Sequence, residues 1–219
     1  MLAKERKLVY KNPHGTGFTE VFAPNFPWYL ASMRSMNRSQ SSQQMSREDL
    51  RALIRDVPDF PKPGILFRDI TPLLADADAF RASVEYLAEP FRDQRIDLVA
   101  AAEARGFVFA APLALELRAG FVPIRKPGKL PYETHSYSYE LEYGSNTVEV
   151  HRDAIVAGHR ILLVDDVLAT GGTMEACCRL VEQAGGTIVA CAFLLELAYL
   201  QGRQRLTPYA IHSVLILNE

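Results

Sequence analysis

The run from Arg160 to Thr173, RILLVDDVLATGGT, restricts the fold more than any other part of the chain. It opens on four consecutive apolar residues, Ile161 to Val164, rich in branched side chains. Such a run marks a strand buried on both faces, as in a parallel sheet. Asp165 and Asp166 follow where that strand would end, a short loop closes on Thr170-Gly171-Gly172-Thr173, and Met174 to Gln183 reads as a helix. Glycines let backbone come close to a ligand, and the first N–H groups of a helix have no internal partner. Acids at a sheet edge beside donors at a helix start suit a ligand with hydroxyls at one end and a phosphate at the other. The string is neither Gly-x-x-x-x-Gly-Lys nor Gly-x-Gly-x-x-Gly.

The same alternation of strand and helix recurs around it. Ile96 to Ala102 reads as a buried strand, followed by Glu103-Ala104-Arg105-Gly106-Phe107 and a helix to about Arg118. Phe121–Ile124, Thr187–Leu195 and Ile211–Leu217 read as further strands. Between them, Arg125 to Pro131 places three cations on a loop punctuated by proline and glycine. His135–Glu142 and Thr147–Arg152 alternate like an antiparallel ribbon, with Gly144-Ser145-Asn146 between them. The expected fold is α/β: a twisted, mostly parallel sheet flanked by helices, with a small hood and an antiparallel ribbon.

Order begins at Ser46, which with Asp49 resembles a capping box. Leu50, Leu53, Ile54 and Val57 then fall at helical spacing, predicting one helix up to Pro58. Prolines stiffen Asp59–Pro72 and present Phe67 and Arg68 from an extended segment. Phe80, Val84, Leu87 and Phe91 mark a second helix, bent near Pro90.

Composition narrows the function classes. The 219 residues suffice for one α/β domain, and a net charge of −2 gives no general reason to expect a nucleic-acid partner. No apolar run approaches the ~18 residues of a membrane span, so no membrane partner is expected. Cys177, Cys178 and Cys191 lack metal-ligand spacing and read as buried thiols of a reducing, cytoplasmic compartment. Residues 1–44 carry a net +4 against −6 for residues 45–219. They read as an extension, disordered or a mis-called start, outside the domain of residues 45–219.

Four separated segments, Asp59–Pro72, Glu103–Phe107, Arg125–Pro131 with Tyr137–Gly144, and Val164–Thr173, together resemble the adenine phosphoribosyltransferases of the type I phosphoribosyltransferase family. The resemblance covers residues 45–219 and leaves 1–44 outside. It implies transfer of ribose 5-phosphate from phosphoribosyl pyrophosphate to N9 of adenine, yielding AMP and pyrophosphate, with Mg²⁺ carried mainly by the diphosphate and no protein metal ligands.

By the resemblance, Ala169, Thr170, Gly171, Gly172 and Thr173 grip the 5-phosphate, and Asp165 and Asp166 hold the ribose hydroxyls. Arg105 meets the leaving pyrophosphate, in a loop where family members often hold a non-proline cis peptide, here Glu103–Ala104. Arg125, Lys126 and Lys129 add charge, and Tyr143 helps to close the site. Phe67 stacks on adenine, the backbone of Leu66 and Arg68 reads its edge, and Leu197 packs on the other side. Glu142 is the acid/base group near purine N7, with Glu140 on the same strand face. A homodimer is expected by family. A non-catalytic regulator of the same fold that senses phosphoribosyl pyrophosphate or a nucleotide is the alternative; the presence of the cationic loop and of Glu142 favours catalysis.

Overall fold

The computed structural model describes residues 6–11, 18–23, 45–141 and 144–219. The chain divides into two compact units, 1–44 and 45–219. In the first, β1 (Arg6–Lys11) pairs antiparallel with β2 (Phe18–Ala23). Leu8, Val9 and Tyr10 run together there without alternating, so no strand period is visible in the sequence.

The second unit runs α1 (Arg47–Ala52), β3 (Arg55–Val57), β4 (Phe67–Asp69), α2 (Thr71–Ala75), α3 (Ala77–Ala88), β5 (Leu98–Ala102), α4 (Arg105–Glu116) and β6 (Gly120–Ile124). It continues with β7 (Thr134–Leu141), β8 (Gly144–His151), β9 (Arg160–Leu168), α5 (Gly172–Gln183), β10 (Thr187–Leu197), α6 (Gly202–Arg205) and β11 (Ile211–Leu217). Five strands form one fully parallel sheet in the order β11-β10-β9-β5-β6.

Strand β9 is buried on both faces, as its apolar run requires. Leu162 and Val164 pack with Phe109 and Leu113 of α4, while Ile161 and Leu163 pack with Cys177 and Leu180 of α5. The two helices therefore lie on opposite faces of the sheet. From β5 the chain crosses through α4 to β6 on one side; from β9 it crosses through α5 to β10 on the other. That divergence makes the carboxyl ends of β5 and β9 a topological switch point, where a crevice opens in sheets of this kind. The β5–β9 pairing ends at Ala101 with Val164, so Asp165 and Asp166 extend past their neighbour into that crevice.

Two expectations change. The capping box forms, with the Ser46 hydroxyl accepting from Asp49 N–H at 3.2 Å and Asp49 Oδ2 accepting from Ser46 N–H at 2.9 Å. The helix it starts nevertheless ends at Ala52, and Val57 sits in β3, paired with β4. Cross-strand ion pairs, Arg55 with Asp69 and Arg68 with Asp56, both at 2.6 Å, favour the strand pairing over another helical turn. In the ribbon, Gly144, Ser145 and Asn146 pair as part of β8 rather than forming the turn. Residues 142 and 143 separate the two strands and lie outside the described residues.

Candidate active site

Two helix starts open on one cleft of about 300 Å³ at the switch point. Its lining includes Glu103, Ala104 and Arg105 from the loop after β5, Asp165 and Asp166 from β9, and Ala169 to Thr173 leading into α5. The Glu103–Ala104 peptide bond is cis. Gly171 caps α5 with φ +82°, and a Cβ there would meet the Gly202 carbonyl oxygen at 2.7 Å. Only glycine takes that conformation and approach without strain. The turn leaves the first N–H groups of α5 facing the cleft, an arrangement that favours an anion.

Asp166 is 2% exposed. Arg105 Nε lies 2.8 Å from its Oδ2, an ion pair in distance, but the N–H is out of line and that oxygen accepts no hydrogen bond among the described residues. The pair is thus a loose electrostatic contact, one that a ligand can replace. Asp165 accepts from Asp166 N–H at 2.9 Å and presses against Gly106, where a Cβ would sit 3.0 Å from its Oδ1. Burial first, and then the charge of Asp166, push the Asp165 carboxyl well above the ordinary aspartate range; Arg105 pulls the other way.

The sign of the pH effect follows from that direction. Above the ordinary aspartate pKa of 3.8 the folded protein holds a proton at Asp165 that the unfolded chain has released. Stability of the unliganded protein therefore falls as pH rises through that window. Thermal midpoints measured between about pH 5 and 8 are expected to fall more steeply for the native protein than for Asp165→Asn. Parallel profiles would remove Asp165 as the cause.

A second cavity of about 510 Å³ adjoins the first. Arg105, Val167 and Ala169 line both. Leu66, Phe67, Arg68 and Leu197 line the second, together with Ile65, Tyr199 and Leu200. The Phe67 ring is held edge-on by Phe60, with centroids 5.1 Å apart, and the Arg105 guanidinium lies 5.6 Å from its centre. Arg68 turns its side chain inward, donating to Asp56 Oδ1 at 2.6 Å and to the Glu219 carbonyl at 2.5 Å. Both terminal guanidinium nitrogens are thereby occupied, while Nε has no hydrogen-bond partner among the described residues.

Thus Arg105, Asp165, Asp166 and Ala169–Thr173 gather around one cleft, and the four base-site residues around its neighbour. Lys126 and Lys129 line neither cavity, and Arg125 is tied to Glu103 at 2.6 Å. Glu142 and Tyr143 lie outside the described residues, as does the Glu140 side chain. The ribbon meets the start of α5, where the Tyr139 hydroxyl lies 3.3 Å from Thr173 Oγ1. Tyr199 and Leu200 were not legible in the sequence as lining residues; their one signal is that they lie two and three positions beyond Leu197.

The sequence pattern of the phosphoribosyl transferase domain matches residues 72–215. The adenine phosphoribosyltransferase of Rhodopirellula baltica is 64% identical over 167 residues, covering 76% of this chain and 81% of that protein. The chain belongs to the adenine phosphoribosyltransferase family. A family member of Caldanaerobacter subterraneus subsp. tengcongensis is 55% identical over 171 residues, covering 78% of this chain and 99% of its own. The crystal structure of the enzyme from Thermoanaerobacter pseudethanolicus superimposes with a TM-score of 0.76 at 53% identity, covering 78% of this chain and all of that one (100%). The Saccharomyces cerevisiae family member, solved with adenine and an imino-altritol bisphosphate, superimposes with a TM-score of 0.73 at 39% identity, covering 77% of this chain and 98% of its own.

Proposed function

We propose that the joined cavities transfer ribose 5-phosphate from phosphoribosyl pyrophosphate to adenine, a purine-salvage reaction yielding AMP and pyrophosphate. The observation that carries this reading is that Arg105, Val167 and Ala169 wall both cavities, so a base in one abuts a phosphorylated sugar in the other. Backbone N–H groups of Ala169–Thr173 and the hydroxyls of Thr170 and Thr173 grip the 5-phosphate. Asp165 and Asp166 take the ring hydroxyls; the charge of Asp166, and that of Asp165 once a cationic ligand displaces its proton, favours the cation-like ribose C1.

Adenine rests on Phe67, with Leu197 opposite and the Leu66 and Arg68 backbone at its edge. As N9 bonds to C1, the bond from C1 to the diphosphate oxygen breaks and its electron pair leaves with pyrophosphate. Arg105 turns from Asp166 to that leaving group, and Lys126 and Lys129 add charge from their loop. Glu142 handles the proton at purine N7, and Tyr143 helps to close the site.

The acidic cleft fits Mg²⁺ carried in on the diphosphate: a hard cation takes oxygen donors, and Asp166 Oδ2 is buried without a hydrogen bond among the described residues. Bound there, the ion would neutralise diphosphate charge; phosphate oxygens and waters would hold most of it, and Asp165 and Asp166 would be the carboxylates available to assist.

A homodimer also fits. On α4, Leu115 is 82% exposed and exposed Val108 stands two turns earlier on the same face; Phe121 of edge strand β6 is also exposed and packs edge-on against Phe107 of α4, with centroids 5.6 Å apart. An apolar strip of this kind suits a second copy of the chain. Sedimentation is expected at about twice the chain mass, and Leu115→Glu is expected to shift it toward the monomer. No helix among the described residues is long and apolar enough to cross a membrane. All three cysteines are buried in the core as small apolar groups, and a reducing cytoplasm is the proposed site of action.

The deciding assay mixes purified protein, phosphoribosyl pyrophosphate and Mg²⁺ with adenine, hypoxanthine, guanine, xanthine or orotate. AMP from adenine is the expected product, and its absence ends the reading.

A further inference from the structure

We propose that Glu103 is a positioning residue for the cationic loop, and that Arg125 serves this loop rather than the diphosphate. The inference rests on the reading of the cleft as a diphosphate site.

Glu103 lines the cleft, and a carboxylate there would repel a diphosphate. Its charge is answered from one side only. Arg125 Nε donates to Oε2 at 2.6 Å and the Lys126 backbone N–H to Oε1 at 3.3 Å. Burial works against the charged form, but Arg125 and Lys126 outweigh it and hold the carboxyl below the usual glutamate range. The same guanidinium reaches across the turn, where Arg125 Nη1 donates to the Lys129 carbonyl at 3.2 Å. Arg125 also exchanges backbone hydrogen bonds with Glu149, at 2.9 and 2.7 Å, and Gly128 N–H donates to Glu149 Oε2 at 3.3 Å.

Arg125 is thus spent on both ends of its own loop. Three cations within five residues would also repel one another; pairing one with Glu103 leaves two, Lys126 and Lys129, held at a defined place beside the cleft. The ion pair has two effects. It screens an acid that would oppose the ligand, and it anchors the loop that carries the free charges.

Glu103→Gln, Arg125→Ala and the double variant test this, read by kinetics and by limited trypsin digestion of the unliganded protein. Trypsin cuts after Lys129, whereas Lys126 is shielded by Pro127. Glu103→Gln is expected to speed cleavage after Lys129 and to raise KM for phosphoribosyl pyrophosphate about tenfold, with kcat within about twofold. Arg125→Ala, which leaves the acid unscreened, is expected to raise KM further. Adding Glu103→Gln to it should bring KM back toward that of Glu103→Gln alone, because the repelling charge is gone.

If the two substitutions multiply, Arg125 binds the diphosphate directly and the proposal falls. Unchanged cleavage and KM in Glu103→Gln also overturn it. The digestion needs no turnover, so its result stands apart from whether adenine is the substrate.

Discussion

Glu142→Gln is expected to lower kcat for AMP formation by about 10²–10⁴-fold while leaving phosphoribosyl pyrophosphate affinity within about twofold. Glutamine keeps the size and the hydrogen-bonding reach of glutamate but cannot take or give a proton at purine N7. On the proposed reading the sugar and its phosphates rest on other residues of the cleft wall: Asp165 and Asp166 on β9, and Ala169–Thr173 leading into α5. Loss of the proton carrier should therefore appear in the chemical step and not in binding. Glu140→Gln, two residues earlier in the chain, is the control and should change kcat by less than about tenfold. Equal losses of kcat and affinity in Glu142→Gln would give Glu142 a structural role, and a larger loss in Glu140→Gln would exchange the two assignments.

Arg105→Ala is expected to reduce kcat/KM for phosphoribosyl pyrophosphate by about 10²–10³-fold, the usual loss when one donor to a developing negative charge is removed. Arg105 is well placed for that effect. It borders both cavities, lies over Phe67 at 5.6 Å and rests 2.8 Å from Asp166 without an aligned hydrogen bond. Moving to the leaving group therefore forfeits little. Arg105→Lys should recover only a small part of the activity, because a point charge cannot reproduce the two-pronged contact with phosphate oxygens. Arg105 is about half exposed but its partner Asp166 is buried, so the alanine variant strips a buried carboxylate of its cationic neighbour and should cost roughly 1–3 kcal/mol of stability. Thermal unfolding beside steady-state kinetics separates the two effects. A lysine variant with near-native kcat/KM would show that charge alone suffices and that the fork is not used.

The local chemistry was legible in the chain because each piece depends on near neighbours. Ile161–Val164 announce a strand buried on both faces, Gly171 and Gly172 a tight turn into a helix, and Ser46 with Asp49 a helix start. Arg105 after β5 and the acidic pair in β9 were visible as two separate loops. Their convergence was expected only through the family resemblance and not from the residues themselves, since it depends on β5 and β9 being sheet neighbours although some sixty residues separate them in the chain. The short α1 misled for a related reason. Leu53, Ile54 and Val57 have helical spacing, but β4 offers Arg55–Val57 a strand partner and two ion pairs that a helix would forgo.

By itself, then, the order of residues determined the kinds of element, the anion-binding turn and the inventory of charged and apolar groups suited to a phosphorylated sugar and a purine. The tertiary structure alone decided which of those groups share a cavity and which are consumed by each other. Arg125 shows the difference: as a residue in a basic loop it reads as a phosphate ligand, and only folding reveals that Glu103, far back in the chain, lies 2.6 Å from its Nε. The physical reason is that charge and backbone propensity act locally, whereas the partner of a buried or half-buried ion is set by strand order and crossover direction, which join residues far apart in the chain.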